Sequence, residues 1–374
     1  MCISPLSQDL LINLKNFKYK STDESILYQK CMSPCLNKVV NYIPRNIAPN
    51  LITFISLCFN IFAAIISYND GGFDFSYKLK PITCFIIGIF QLIYQLLDNI
   101  DGKQARRTGN STPFGMLMDH GCDVFTNIFT AYNLSKLLLL GNNDYFSFSV
   151  FFGLLLGFYM MTYEEYKLGE MHFPKINGTD EGNFLIFLLG VILSFTGQDC
   201  MEYIIYEKYN ITVGKLIGFG IVIGGFSCVF NLYLHTYQKK GLIELPKIFL
   251  DNIPFYGVII IPLIFIFYSL EFYRDNKWII LCNISLLFAR VTIDLHVKIL
   301  TNDKLTCNII FIFSNIALIA AIFIDIYIIR LFVLFGLFVI QSVELSIFIY
   351  RRAKQILDFL EIRLFCVNNQ SSQI

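Results

Sequence analysis

Four aspartates, an arginine and two glycines stand at fixed spacing in an otherwise apolar stretch of this 374-residue chain. The pattern reads DxxDGxxARx8GxxxDxxxD, and its members are Asp98, Asp101, Gly102, Ala105, Arg106, Gly115, Asp119 and Asp123. Carboxylates are among the costliest side chains to place in a membrane, so four of them in one place require cations. The pattern therefore predicts a two-metal site for phosphoryl transfer.

The spacing predicts that the four carboxylates point together. Asp98 and Asp101 are three residues apart at the end of one apolar helix and share a face, and Asp119 and Asp123 are four apart on the next helix. Hard oxygen ligands of this kind select Mg²⁺, Mn²⁺ or Ca²⁺ rather than zinc. Two such ions can clamp a diphosphate and stabilise both the attacking and the leaving oxygen.

Residues between the aspartates suit a phosphate ligand and a sharp helix start. Gly102 and Gly115 lack a Cβ, which lets a nucleotide or a facing helix come close to the backbone. Arg106 offers a planar, permanently charged fork that matches a phosphate. Thr112 and Pro113 predict the N-cap and the first position of the helix that carries the second aspartate pair.

The composition predicts an all-α, polytopic membrane protein. The chain is 55% hydrophobic and 15% charged, with a mean hydropathy of +0.59, which is outside the range of soluble domains. A net charge of +1, without a basic run interleaved with aromatics, argues against a nucleic-acid partner. About ten stretches are long enough to span a bilayer, and they start near positions 51, 83, 114, 145, 183, 214, 253, 278, 308 and 331.

The distribution of basic residues predicts the orientation. With both termini on one side, that side collects 20 Lys and Arg and the other side 7, so the termini and the aspartate motif face the cytosol. We divide the chain into a cytosolic segment 1–50, a transmembrane domain 51–350 and a cytosolic tail 351–374. Within the first segment, Ser25 to Val40 is predicted to form an amphipathic helix in the membrane interface.

The motif resembles, at every specified position, the signature of the CDP-alcohol phosphotransferases. The string DNIDGKQARRT followed by DHGCD resembles the choline and ethanolamine phosphotransferase branch in particular, as does YIPRNIAPNLITF at 42–54. One departure is Met116, where relatives commonly carry an acid. Met116 is not a signature position, so it bears on the choice of acceptor or head group rather than on the reaction.

The resemblance implies an enzyme that transfers phosphocholine, phosphoethanolamine or both from the CDP-alcohol to diacylglycerol in the bilayer and releases CMP. It implies two Mg²⁺ or Mn²⁺ ions on Asp98, Asp101, Asp119 and Asp123. The CDP moiety is expected at Gly102, Ala105 and Arg106, with Asn50 and Gln95 nearby. An endoplasmic reticulum or Golgi location and a homodimer are also typical of the family.

A hydroxyl nucleophile needs a base. His120, beside Asp119, has a reference pKa suited to that role, while the wider family also suggests Asp123. By analogy with the eukaryotic branch, Glu181 is expected to support His120. The other three histidines, His172, His235 and His296, are interpreted as interfacial residues.

Two alternatives stay open. A family member with inositol or glycerol phosphate as the acceptor would use the same aspartates, although those branches are typically shorter. An ion-coupled transporter would also carry intramembrane carboxylates, but the chain lacks an internal inverted repeat and gathers all four acids at one membrane face.

Overall fold

The protein is described by a computed structural model, which covers residues 5–142, 144–306 and 309–367. Fifteen α-helices and four short strands form within these ranges. The first eight helices are α1 Gln8–Asn16, α2 Ser33–Val39, α3 Pro49–Asn69, α4 Pro81–Thr108, α5 Pro113–Leu137, α6 Asp144–Leu168, α7 Asn183–Thr196 and α8 Asp199–Glu202. The others are α9 Val213–Lys240, α10 Leu245–Asp251, α11 Ile253–Tyr268, α12 Leu270–Asp275, α13 Lys277–Thr301, α14 Ile309–Ile322 and α15 Tyr327–Leu360.

The all-α, polytopic membrane architecture predicted from composition is confirmed. Seven of the described helices are long and apolar enough to cross a bilayer, and an eighth span results if the bent pair α10–α11 is counted as one. The predicted span near 114 corresponds to α5, which the same length and composition test does not select. The predicted start near 308 lies outside the described residues, and the helix that follows it, α14, is short. The count of ten spans therefore stays a prediction.

Two small sheets join distant parts of the chain. Strands β1 Ser21–Asp23 and β2 Met171–Phe173 pair in parallel, with Ser21 opposite Met171, and tie the N-terminal segment to the loop after α6. Strands β3 Ile204–Tyr206 and β4 Ile211–Thr212 pair antiparallel ahead of α9. The first sheet is the more consequential, because it brings residues before α3 next to the end of α6.

The segment predicted as an amphipathic helix is helical and is fixed to α4. A π-helical turn, Tyr28–Met32, runs directly into α2. Lys103 donates hydrogen bonds to Ser33 Oγ at 3.0 Å and to Asn37 Oδ1 at 2.9 Å. These bonds anchor the segment to the end of α4, while its location in a membrane interface stays a prediction.

Two helix pairs meet through glycines. A Cβ on Gly190 of α7 would lie 2.7 Å from the Cα of Gly88 on α4, and a Cβ on Gly225 of α9 would overlap the Gly153 carbonyl on α6. Larger side chains at these glycine positions would push the two helices of each pair apart. In lipid, apolar side chains gain little free energy by associating with each other, so close packing must hold the helices together. The first contact is near the aspartate motif in sequence, since α4 also carries Asp98 and Asp101.

Gly225→Ala is expected to lower stability by about 1–3 kcal/mol, because the added methyl group overpacks the α6–α9 contact. Gly224→Ala is the matched control, since nothing lies within 4 Å of a Cβ at that neighbouring position. Thermal unfolding of the two purified variants in the same detergent measures the difference. Equal melting temperatures would contradict the close contact.

Candidate active site

Helices α4 and α5 position the four aspartates. Helix α4 continues past Gly102 and ends at Thr108, where Gly109 adopts a left-handed conformation at φ 70°. Helix α5 then starts as the sequence predicts: the Thr112 hydroxyl accepts a hydrogen bond from the Gly115 amide at 3.0 Å, and Pro113 occupies the first position. The short link between the helices brings the end of α4 and the beginning of α5 together, and the aspartates lie on these two ends.

Three of the aspartates form one group. One carboxylate oxygen each of Asp98, Asp119 and Asp123 lies within 4.8 Å of the other two. The Tyr94 hydroxyl donates to Asp123 Oδ1 at 2.8 Å. Tyr94 precedes Asp98 by one helical turn, so α4 supplies both a carboxylate and a donor that orients a carboxylate of α5.

Asp101 is held separately at the edge of this group. Its side chain is buried, and Oδ2 accepts a hydrogen bond from the Thr53 hydroxyl on α3. Asp101 follows Asp98 by three residues on α4, so the two share a face of that helix. The four aspartates thus lie on the adjoining parts of α4 and α5, and α3 contributes the Thr53 hydroxyl that bonds to Asp101.

The cluster fits divalent cations. Asp98 Oδ1 and Asp119 Oδ1 are buried without a hydrogen-bond partner. Among the described residues, no ion pair includes any of the four aspartates. Unpaired buried carboxylates are strongly disfavoured, and carboxylate oxygens are the ligands that Mg²⁺ and Mn²⁺ prefer. Two divalent ions would balance the four negative charges.

The residues predicted to hold the CDP moiety border this cluster. Arg106 is exposed, and its guanidinium nitrogen Nη1 would lie 3.6 Å from a Cβ on Gly102. The Arg106 guanidinium thus lies over the bare backbone of Gly102, which directly follows Asp101. Ala105 is half-buried, and its carbonyl oxygen accepts a hydrogen bond from the Asn110 amide at 2.9 Å.

Asn50 and Gln95 have contacts that the sequence does not reveal. Asn50 Oδ1 would lie 3.5 Å from a Cβ on Gly115, and its amide nitrogen donates to the Leu364 carbonyl at 2.8 Å. Gln95 is buried, and its amide nitrogen donates to the Asp180 carbonyl at 2.7 Å, while its Oε1 has no partner. Asn50 is thus next to the motif glycine, whereas Gln95 links α4 to the turn before α7.

His120, the residue after Asp119, belongs to a second group of buried polar side chains. It is 9% exposed, and its Nδ1 is buried without a partner. The ring of His296, on α13, meets the His120 ring edge-to-face with centroids 5.0 Å apart. Because His296 is only 1% exposed, its interpretation as an interfacial residue is wrong.

Glu181, which is expected to support His120, and Glu165 differ in the residues that surround them. The Glu181 carboxylate accepts hydrogen bonds from Ser25 Oγ at 2.8 Å, the Leu27 amide at 3.0 Å and the Asn177 amide at 3.0 Å. No described contact joins Glu181 to His120, and its supporting role stays a prediction. Glu165, on α6, instead has a carboxylate oxygen within 4.8 Å of ring nitrogens of both His120 and His296.

Comparison with known proteins places this geometry in a family. The model of the CDP-alcohol phosphatidyltransferase family matches residues 46–199, which contain the whole motif. Human cholinephosphotransferase 1 is 30% identical over 309 residues, covering 80% of this chain and 75% of that protein. The chain belongs to the CDP-alcohol phosphatidyltransferase family. Within it, the chain falls in the branch that contains the cholinephosphotransferases.

Two relatives from Dictyostelium discoideum extend the comparison within the family. The uncharacterized CDP-alcohol phosphatidyltransferase class-I family protein 2 is 28% identical over 97% of this chain and 88% of its own length. The corresponding protein 3 is 37% identical, but over 48% of this chain and 45% of its own length. The similarity to these proteins therefore ranges from nearly the whole chain to about half of it.

Four residues of the site were not predicted from the sequence: Thr53, Tyr94, Glu165 and His296. Tyr94 could have been found, since it lies four residues before Asp98 on the same helical face. Thr53 follows Asn50 by less than one turn at the start of α3, which is a weaker signal. Glu165 and His296 carry no local signal, because their contact with His120 depends on how α5, α6 and α13 pack.

Tyr94→Phe is expected to weaken Mn²⁺ binding by about 10- to 100-fold, because partners that orient a ligating carboxylate typically contribute that much. Tyr166→Phe is the control, since the Tyr166 hydroxyl donates to the backbone carbonyl of Asp303 at 3.2 Å and not to any of the four motif aspartates. Titration of the purified protein with Mn²⁺, followed by electron paramagnetic resonance, measures both affinities. If the two variants bind Mn²⁺ equally well, Tyr94 has no role in cation binding.

Proposed function

We propose that this protein transfers phosphocholine, phosphoethanolamine or both from the CDP-alcohol to diacylglycerol. The hydroxyl oxygen of diacylglycerol attacks the β-phosphorus, and a new phosphorus–oxygen bond forms. The bond from the β-phosphorus to the oxygen that bridges the two phosphates breaks, and CMP leaves with that oxygen. The products are CMP and phosphatidylcholine or phosphatidylethanolamine.

The observation that carries this proposal is the unpaired aspartate cluster in a chain related over most of its length to a cholinephosphotransferase. Four carboxylates without a cationic partner suit a substrate that arrives with divalent ions and a diphosphate. The apolar helices around them suit a lipid acceptor. A head group other than choline or ethanolamine is less well supported, since the named relative with an assigned activity is a cholinephosphotransferase.

In this proposal each part of the site has one task. Asp98, Asp101, Asp119 and Asp123 hold two Mg²⁺ or Mn²⁺ ions, which neutralise charge on the diphosphate. Gly102, Ala105 and Arg106, with Asn50 and Gln95 nearby, bind the CDP moiety, and the exposed Arg106 fork is suited to a phosphate. His120 takes the proton of the diacylglycerol hydroxyl, because Asp123 is already grouped with two other aspartates and bonded to Tyr94.

The distribution of basic residues supports a proposal for the orientation and the membrane of this protein. The excess of Lys and Arg on the side of both termini supports a cytosolic aspartate motif, where a water-soluble CDP-alcohol can enter while diacylglycerol arrives from within the bilayer. We propose the endoplasmic reticulum as the membrane, with the Golgi as the alternative. The membrane domain is proposed to end within α15, which continues past position 350 to Leu360.

Purified protein supplied with diacylglycerol, Mg²⁺ or Mn²⁺, and either CDP-choline or CDP-ethanolamine is expected to release CMP and form the matching phospholipid. Asp119→Asn is expected to abolish turnover with the protein still folded, because it removes a charged ligand from the cluster. Lipid product and CMP are measured together, and thermal unfolding verifies the fold. No CMP from either donor with either metal would overturn the proposed function, and near-normal activity of Asp119→Asn would remove that residue from the metal site.

His120→Ala is expected to lower kcat by roughly 10² to 10⁴, the range that a general base contributes. Because the base acts on the acceptor and not on the nucleotide, the KM for the CDP-alcohol should change little. Steady-state kinetics at saturating diacylglycerol separate the two parameters. A loss confined to KM would make His120 a binding residue instead.

A further inference from the structure

The helical segment before α3 presents a stripe of cysteines and apolar side chains on its outer surface. Cys31, Cys35 and Val39 follow one another at four-residue intervals, so they share one face of the segment. Tyr42 comes three residues after Val39, extends the same face and is 87% exposed. All four of these residues are exposed, which leaves both thiols open to modification.

Another face of the segment is fixed to the membrane-spanning helices. Met32, Leu36 and Val40 each follow a residue of the stripe by one position, and all three are buried. They form one apolar cluster with Ile52 of α3 and Ile100 of α4. This packing decides which face of the segment is turned inward and keeps the cysteine stripe outward.

The segment lies where the spanning helices leave the bilayer. Helix α4 is 28 residues long, which corresponds to about 42 Å and exceeds a hydrocarbon core of about 30 Å. The hydrogen bonds from α4 to the segment come from Lys103 and Arg107, in the last two turns of that helix. The cysteine stripe is therefore level with the lipid head groups, on the side proposed to be cytosolic, where thiols stay reduced.

An apolar groove continues the stripe. Tyr42, the last residue of the stripe, also lines a groove of about 290 Å³ together with Ile47, Ile55 and Leu97, and every lining residue is apolar or aromatic. That volume is far more than the roughly 10–15 Å³ that one water needs, and an apolar lining offers water no hydrogen bonds, so hydrocarbon suits it. Tyr42 follows Cys35 by seven residues, which is about 10 Å along a helix. A long acyl chain attached to Cys35 reaches the groove over that distance.

We propose that Cys31 and Cys35 are S-acylated and that the acyl chain on Cys35 extends along the stripe into this groove. In each step the cysteine sulfur attacks the carbonyl carbon of a long-chain acyl thioester, and a new sulfur–carbon bond forms. The bond from that carbon to the sulfur of the carrier breaks, and the carrier leaves as a thiol with the proton of the cysteine. Cysteines on amphipathic helices beside a membrane are typical acceptors of this modification. The modification is separate from the proposed transfer reaction and does not depend on it.

Two chains hold the segment on the membrane more firmly than one. A single acyl chain gives only marginal, reversible binding, and stable attachment takes two chains or one chain with basic residues. The segment offers both, because Lys30 and Lys38 are also exposed on it and suit an anionic leaflet. Since the spanning helices already keep the protein in the bilayer, acylation acts on the position of this segment, which is bonded to the end of α4.

Thioester-specific labelling of the full-length protein, expressed in a eukaryotic cell and purified in detergent, tests the modification. Free thiols are blocked with N-ethylmaleimide, hydroxylamine then cleaves thioesters, and a polyethylene glycol maleimide marks each released thiol by a shift in mass. The wild type is expected to show two shifts, each of Cys31→Ser and Cys35→Ser one shift, and the double variant none. Cys366→Ser is the matched control and should keep both shifts, because Cys366 is also exposed but lies in the segment after α15.

The contrary outcomes are distinct. A wild type without hydroxylamine-dependent shifts would overturn the proposal, because both cysteines would then be free thiols. Shifts that persist in the double variant, or that disappear in Cys366→Ser, would place the acyl groups on other cysteines and overturn it as well. A single shift would overturn it for the cysteine whose replacement leaves that shift unchanged. Thermal unfolding of the serine variants, expected to match the wild type, shows that a lost shift is not due to misfolding.

A photoreactive fatty acid supplied to the same cells tests the path of the chain. Irradiation is expected to join the peptide that contains Cys35 to a peptide that contains Ile47, Ile55 or Leu97, which line the groove. These crosslinks should disappear in Cys35→Ser and remain in Cys31→Ser. Crosslinks from Cys35 to lipid alone would overturn the position of the chain and leave a membrane lipid as the occupant of the groove.

Discussion

The structure depends on how it holds four carboxylates together although, among the described residues, none of them forms an ion pair. The aspartates meet where α4 ends and α5 begins, and two of their oxygens are buried and unpaired. Like charges in a poorly hydrated site repel each other strongly, so the two helix ends would separate if nothing else held them. The site can therefore form only because other elements fix both helix ends and because cations can compensate the charge.

The elements that fix the end of α4 come from both sides of the motif. Gln104 donates to the carbonyls of Pro44 and Ile47 at 3.1 Å, and Arg107 donates to the Val40 carbonyl at 2.7 Å, so the segment before α3 is bonded directly to α4. On the other side, the glycine contact with α7 sets the position of α4 along its length. These are backbone carbonyl bonds and close helix packing, which are the interactions that remain effective where lipid gives apolar side chains no reason to associate.

Local patterns predicted the parts of the site that depend on one helix at a time. The cap at Thr112 and the proline after it follow from rules that act over three or four residues, and both are present. The same spacing puts Asp119 and Asp123 on one face of α5, and one carboxylate oxygen of each lies within 4.8 Å of the other. The same rules could not predict which residues of other helices lie around His120. Glu165 and His296 lie on helices far from His120 in sequence, and only the packing of α6 and α13 against α5 brings them to it. Glu181 is expected there by analogy, and this role stays a prediction; its described hydrogen bonds join the N-terminal segment to the turn before α7.

The region matched by the family model ends at residue 199, yet later residues help to form the site. Helix α13 packs against α5 and α6 and brings His296 to His120. The carbonyl of Leu364, beyond α15, accepts the bond from Asn50 at the start of α3. The motif itself belongs to the matched region, but His296 beside His120 and Leu364 beside Asn50 lie after it. Substitutions in the second half of the chain can therefore change what lies beside His120 and Asn50 while every motif residue stays the same.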